Sequence, residues 1–155
     1  MERIASFTVD HDVLVPGLYL SRRDGSVVTF DLRFKKPNTG DVLTNSEMHS
    51  VEHIIATLLR SSAEKDAVVY FGPMGCQTGF YFLFNGDVLT DAQAVALVQR
   101  VFADGASFEG TMPGGSAREC GNYRNLSVAE AKRCCAYYRD VIAGWNEEKL
   151  AYPTA

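Results

Sequence analysis

The sequence predicts an α+β fold, an antiparallel sheet packed against helices as a two-layer sandwich, with one helix carrying an HxxEH pattern. Three observations predict it. Apolar-polar alternation marks strands early in the chain, three capping-box sequences each open a run of helical periodicity, and a pair of strands bounded by turn residues falls between the first two of those runs. A chain of 155 residues with 46% hydrophobic and 22% charged residues is expected to form one domain, residues 1–155, able to bury a core unaided.

Residues 4–9 and 13–20 read as strands, the second bent or placed at an edge by Pro16-Gly17, with His11 between them. Arg23-Asp24-Gly25-Ser26 is a hairpin-type turn into VVTFDLRF, where Val28, Phe30, Leu32 and Phe34 alternate with Val27, Thr29, Asp31 and Arg33. Arg33 thus belongs to the polar face. After the loop KKPNTG, Thr44-Asn45-Ser46-Glu47 is a capping box, and Met48, Val51, Ile55, Leu58 and Leu59 mark a helix over residues 45–65. Residues 67–71 and 78–84 are strands on either side of Gly72-Pro73-Met74-Gly75-Cys76. Thr90-Asp91-Ala92-Gln93 opens a second helix expected to stop before Asp104-Gly105. A glycine-rich loop over residues 105–116 leads to Cys120, and Ser127-Val128-Ala129-Glu130 opens a third helix with Trp145 near its end.

Charge and composition narrow the function classes. A net charge of −4 without a basic cluster argues against nucleic acid as a partner, because binding phosphates needs a positive surface. The opening residues Met1-Glu2-Arg3-Ile4-Ala5 lack the apolar core of a signal peptide, and no apolar run approaches the roughly 20 residues of a membrane span. The expectation is a cytoplasmic protein without membrane contact, whose four cysteines are thiols rather than a disulfide framework.

The chemistry starts at His49-Ser50-Val51-Glu52-His53. Two histidines four apart on a helix stand one turn above each other, the geometry a metal ion needs from two imidazoles. At about 100° per residue, Glu52 falls on the same arc. Two imidazoles leave a metal short of partners. Cys120, in the turn-like stretch ECGNY, is placed to be a third ligand, the alternative being a small buried hydrophobe. A His/His/Cys set leaving one position for water suits catalysis better than structure. Cys76 ends a glycine-flanked turn; near a cation or an arginine its thiol can serve as acid or base, and otherwise it is structural. Arg33 either anchors substrate, holds Cys76 as thiolate, or makes a surface ion pair. Cys134 and Cys135, on an apolar helix face, read as core.

Taken together, HSVEH on a helix, GPMGCQTGFY downstream, ECG later, SFTVDH at the start and FDLRF before the helix resemble the S-ribosylhomocysteine lyase (LuxS) family, from about residue 6 to residue 123. The resemblance implies a homodimer with active sites at the interface, binding one divalent ion per subunit, natively iron(II), through His49, His53 and Cys120. It implies cleavage of S-ribosylhomocysteine into homocysteine and 4,5-dihydroxy-2,3-pentanedione, the autoinducer-2 precursor. Glu52 and Cys76 match the family's acid/base pair, and Ser6, His11 and Arg33 match positions in or near its substrate pocket. Read without the family, Ser6 and His11 are ordinary strand-end polar residues. The chain departs from the family pattern at Tyr70-Phe71-Gly72, where D-I-S is common, and at Lys35, where a cysteine is usual.

The donor set suits iron(II), zinc and cobalt alike. Two other readings use the same residues. One is an HxxEH zinc metallopeptidase in which Glu52 activates water and Glu130 is the third ligand. The other is a non-catalytic metal- or effector-binding module.

Overall fold

A computed structural model describes all residues, 1–155, as a four-stranded antiparallel sheet with three helices packed on one of its faces. The strands are β1 (Gly17–Asp24), β2 (Val27–Arg33), β3 (Val68–Pro73) and β4 (Gly79–Asn85), in the spatial order β1-β2-β4-β3. The helices are α1 (Asn45–Arg60), α2 (Asp91–Ala106) and α3 (Val128–Val141). This is the α+β two-layer arrangement that the sequence predicts.

Strand register builds the core. Phe30 lies opposite Phe82, Leu32 opposite Phe80, and Val28 opposite Phe84, so one face of the central pair is continuous hydrocarbon. These six side chains are at most 2% exposed, and each contributes about 1.5–3 kcal/mol by leaving water. The helices lay Val51, Ile54, Ile55, Val98, Phe102 and Tyr138 onto that face. Residues on the opposite face alternate with them, and there Asp31 pairs with Tyr19 on one side and with Tyr81 on the other. This second face is also buried at its centre. Thr29, Asp31 and Arg33 are 7%, 1% and 3% exposed.

Local chemistry fixes the helix starts. Thr44 and Thr90 each accept from the backbone N–H three residues on, and Glu47 and Gln93 reach back to the capping residue, completing both boxes. The third box is half made. Ser127 accepts from Glu130 N–H, but the Glu130 carboxylate turns away to take the Ser46 hydroxyl on α1.

Several boundaries differ from the sequence reading. Residues 4–9 form no strand; Ala5–Phe7 is a 3-10 turn closed by its own backbone bonds. The segment lies across the polar face of the sheet, where Ser6 accepts from the Tyr81 hydroxyl, and so finds no strand edge to pair with. The strand expected over residues 13–20 begins only at Gly17, after Pro16, which has no N–H to give a ladder. α1 ends at Arg60, and residues 62–67 turn through a short 3-10 segment instead of extending the helix. α2 continues through Asp104-Gly105. Gly105 is there for packing: a Cβ at that position would lie 2.8 Å from the Cys135 sulfur on α3.

Candidate metal centre and adjoining cavity

α1 presents His49 and His53 one turn apart, their rings 4.6 Å between centroids and nearly perpendicular. The loop before α3 brings Cys120 to within 3.4 Å of His49 Nε2. One donor atom from each of the three, all half-buried, lies within 4.8 Å of the other two. A tetrahedral ion with bonds of about 2.0–2.3 Å sets its donors roughly 3.3–3.7 Å apart, so the cluster needs little adjustment to close on one cation.

The outer contacts aim these donors. His49 Nδ1 faces the Asn125 side-chain oxygen, and Asn125 Nδ2 donates in turn to Asn45 at 2.6 Å, which fixes the amide so that its oxygen accepts. His53 Nδ1 donates to the Pro113 carbonyl at 2.8 Å. Each ring therefore keeps its Nε2 lone pair for a ligand, the arrangement that tightens metal binding. Gly114 makes the approach over His53 possible: φ is +64°, and a Cβ there would lie 3.2 Å from the ring. The Asn122 N–H points at the Cys120 sulfur, 3.4 Å away. Three such donors with a position left open fit a catalytic divalent cation.

Glu130 is not among the donors. Its carboxylate is committed to Ser46, which removes the third ligand that the metallopeptidase reading requires. Glu52 takes part in no ion pair. It lines a cavity of about 270 Å³ with Asn45, Met48, His49, Pro73 and Asn122.

Pro73 also borders the larger neighbouring cavity, about 390 Å³, which brings together Ser6, His11, Arg33, Cys76 and Asp31. Here the strand register does the assembling. Arg33 lies opposite Gly79, next to Thr78, and Cys76 sits in the turn leading into β4. Arg33 Nη1 donates to Thr78 Oγ1 at 2.7 Å and lies 4.0 Å from the Cys76 sulfur. Thr78 Oγ1, which accepts from Arg33, also lies 3.0 Å from the Cys76 sulfur, where the hydroxyl and the thiol can each donate to the other. Arg33 is no surface ion pair. It is clasped by Asp31 through Nε at 3.1 Å and Nη2 at 2.6 Å, with both side chains at most 4% exposed. Burial opposes its charge, but the Asp31 carboxylate, aided by Cys76 and Tyr152, outweighs burial and raises the guanidinium above its ordinary value.

The turn holding Cys76 takes its left-handed step at a residue other than glycine. The residue in the left-handed region is Gln77, at φ 66°, and neither Gly72 nor Gly75 adopts it. Gln77 is locked by its N–H to Met74 and its side chain to the Leu43 carbonyl. His11 uses Nδ1 on the Val9 carbonyl at 2.9 Å. All four cysteines are free thiols; burial pushes Cys134 and Cys135 up to about 12, as core residues.

The sequence model of the S-ribosylhomocysteinase (LuxS) family matches residues 4–149. The chain belongs to that family. A relative from Desulfotalea psychrophila, named S-ribosylhomocysteine lyase, is 47% identical over 99% of this chain and 100% of its own length. Relatives of the same name from Clostridium beijerinckii and Borreliella burgdorferi are 43% and 42% identical, each over 99% of this chain and at least 99% of their own. Within the LuxS frame, the sequence reading singled out all three donors. It passed over Asp31, Thr78, Asn125 and Tyr152. Asp31 was detectable, two residues before Arg33 on the same strand face; the others are joined only by the fold.

Proposed function

We propose that this LuxS-family chain is a metal-dependent carbon–sulfur lyase that cleaves S-ribosylhomocysteine to homocysteine and 4,5-dihydroxy-2,3-pentanedione. The observation that carries the mechanism is the placement of an unpaired carboxylate, Glu52, beside three converging donors, with the Cys76 thiol beyond Pro73. His49, His53 and Cys120 hold the ion; iron(II) is our assignment, following the family resemblance, and zinc or cobalt suits the same donors. When bound, the cation supplies Lewis acidity to the oxygens of the substrate's sugar chain.

The chain's own residues then move protons. Shifting a carbonyl from C1 to C2, and again from C2 to C3, each requires removing a proton from one carbon and returning one to its neighbour. In this reading Glu52 and Cys76 do this work, supported by their places on neighbouring cavities that share Pro73. With the ketone at C3, loss of the C4 proton expels homocysteine as its thiolate and breaks the C5–S bond. Arg33 turns a donor toward the Cys76 sulfur and the Thr78 hydroxyl can donate to it or accept from it, an arrangement suited to a thiol that alternates between proton donor and acceptor. Ser6, His11 and Arg33 are assigned to substrate binding, supported by their place on the cavity wall.

The protein acts as a homodimer in this reading, with sites at the interface. Ile4 and Phe7, 53% and 64% exposed at the mouth of the cavity, and Tyr70, 52% exposed, support a contact there. No helix is long and apolar enough to cross a membrane. A cytoplasmic location is proposed with the four free thiols as support.

The test is release of homocysteine, followed with a thiol reagent, from protein reconstituted anaerobically with iron(II). Turnover is expected, and Cys120→Ala is expected to lose metal and turnover together while Glu130→Ala keeps its metal. A folded, metal-loaded protein that releases no thiol would favour a binding module and overturn the lyase.

A further inference from the structure

The wall of the larger cavity includes a residue beyond the stretch, 4–149, that the family's sequence model matches. After α3, the chain returns to the edge of the sheet: Trp145 Nε1 donates to the Leu18 carbonyl at 2.8 Å, and the Leu150 carbonyl accepts from Leu20 N–H at 2.8 Å. Leu150 is buried, which fixes where the last residues begin. Tyr152 then stacks on Tyr19, ring centroids 5.0 Å apart and 25° between planes, and its hydroxyl donates to Asp31 Oδ2 at 2.8 Å. Tyr152 shares the cavity wall with Ser6, His11, Arg33 and Cys76.

We propose that Tyr152 is a positioning residue of this site, holding the Asp31 carboxylate and, through it, the Arg33 guanidinium against Thr78 and Cys76. Asp31 Oδ2 accepts from both Arg33 Nη2 and the Tyr152 hydroxyl, while Oδ1 accepts from Arg33 Nε. At 1% exposure, that carboxylate has little access to solvent to replace a lost donor. Without the hydroxyl, the arginine is left as the main counterweight, and it shifts toward Asp31 and away from the sulfur. Burial and the Asp31 charge both raise Tyr152 above its ordinary value, so it remains a neutral donor wherever the protein works. The tail thus tunes a buried ion pair that itself points at the cavity.

Two variants separate positioning from simple anchoring. Tyr152→Phe keeps the stacked ring and removes only the hydroxyl; Trp145→Phe weakens the same tail without touching Asp31. The first readout is the rate at which iodoacetamide alkylates Cys76, resolved by peptide mass spectrometry. Tyr152→Phe is expected to slow it about threefold, and Trp145→Phe to leave it unchanged. Unchanged alkylation in Tyr152→Phe, or equal slowing in both variants, overturns the proposal. The second readout rests on the lyase reading: kcat for S-ribosylhomocysteine falls about threefold in Tyr152→Phe, in step with the slower alkylation of Cys76, while Trp145→Phe leaves it unchanged. If the unaltered protein released no homocysteine, the lyase reading would fall, and the alkylation comparison would still decide the role of Tyr152.

Discussion

On the helix side of Pro73, three half-buried donors come from one turn of α1 and from the loop before α3, each steered by a neighbour in the connection between α2 and α3. On the sheet side, the Cys76 sulfur faces a guanidinium held by a carboxylate that is almost wholly buried. The helix side holds its donors through contacts that are half-buried or exposed. The sheet side invests in a buried ion pair, which fixes one charge in one place. Partly exposed donors and a buried, fixed charge thus fall on opposite sides of Pro73.

The sharpest way to break this comparison is at Glu52, the unpaired carboxylate of the helix side. Glu52→Gln is expected to lower homocysteine release about 10²–10⁴-fold while metal content, measured by elemental analysis, stays at the wild-type level. Full turnover in that variant would take the carboxylate out of the chemistry.

Next comes the sheet side. Asp31→Asn leaves Arg33 buried without its counter-charge, and should cost about 3–5 kcal/mol in urea unfolding at neutral pH. A loss below about 1 kcal/mol would mean that water reaches the pair and that the sheet side is no more fixed than the helix side.

Asn125 tests the steering of the helix side. Asn125→Leu removes the acceptor for His49 Nδ1, and cobalt(II) affinity, followed through its visible absorption, is expected to weaken about 10–100-fold with little change in fold stability. Equal affinity would show that packing alone orients the imidazole.

The smallest effect lies at the start of α1, below both sides. Burial works to raise Glu47, but bonds from the Thr44 backbone, Cys134 and the Thr44 hydroxyl, together with the Arg133 charge, outweigh it and hold the carboxyl below its ordinary 4.5. A depressed folded value contributes stability that is present above the unfolded value and lost as pH falls through the folded one. Acid unfolding of Glu47→Gln should therefore lose less stability than wild type once the pH drops below about 4.5. Identical acid slopes would assign the cap no electrostatic part.

Much of this was legible in the chain. The spacing of His49, Glu52 and His53 on a capped amphipathic run placed the helix side, because helical geometry depends on near neighbours alone. Alternation along β2 placed Arg33 on the polar face for the same reason. The N-terminal residues misled: short alternation looks like a strand, yet pairing depends on a free sheet edge, and this segment lies over the face instead. Gly105 misled likewise, since a glycine that stops a helix and one that admits a neighbouring helix look alike in sequence.

By itself, then, the sequence determined the elements, the pair of imidazoles and the apolar face of the sheet, all set by contacts a few residues apart. Only the tertiary structure decided that the polar face would be buried, that Glu130 would serve Ser46 and not a metal, and that Tyr152 would reach Asp31 from 121 residues away. Those outcomes turn on which desolvated groups find partners across the fold. A buried charge or donor is tolerated only where some distant residue answers it, and sequence distance carries no record of that match.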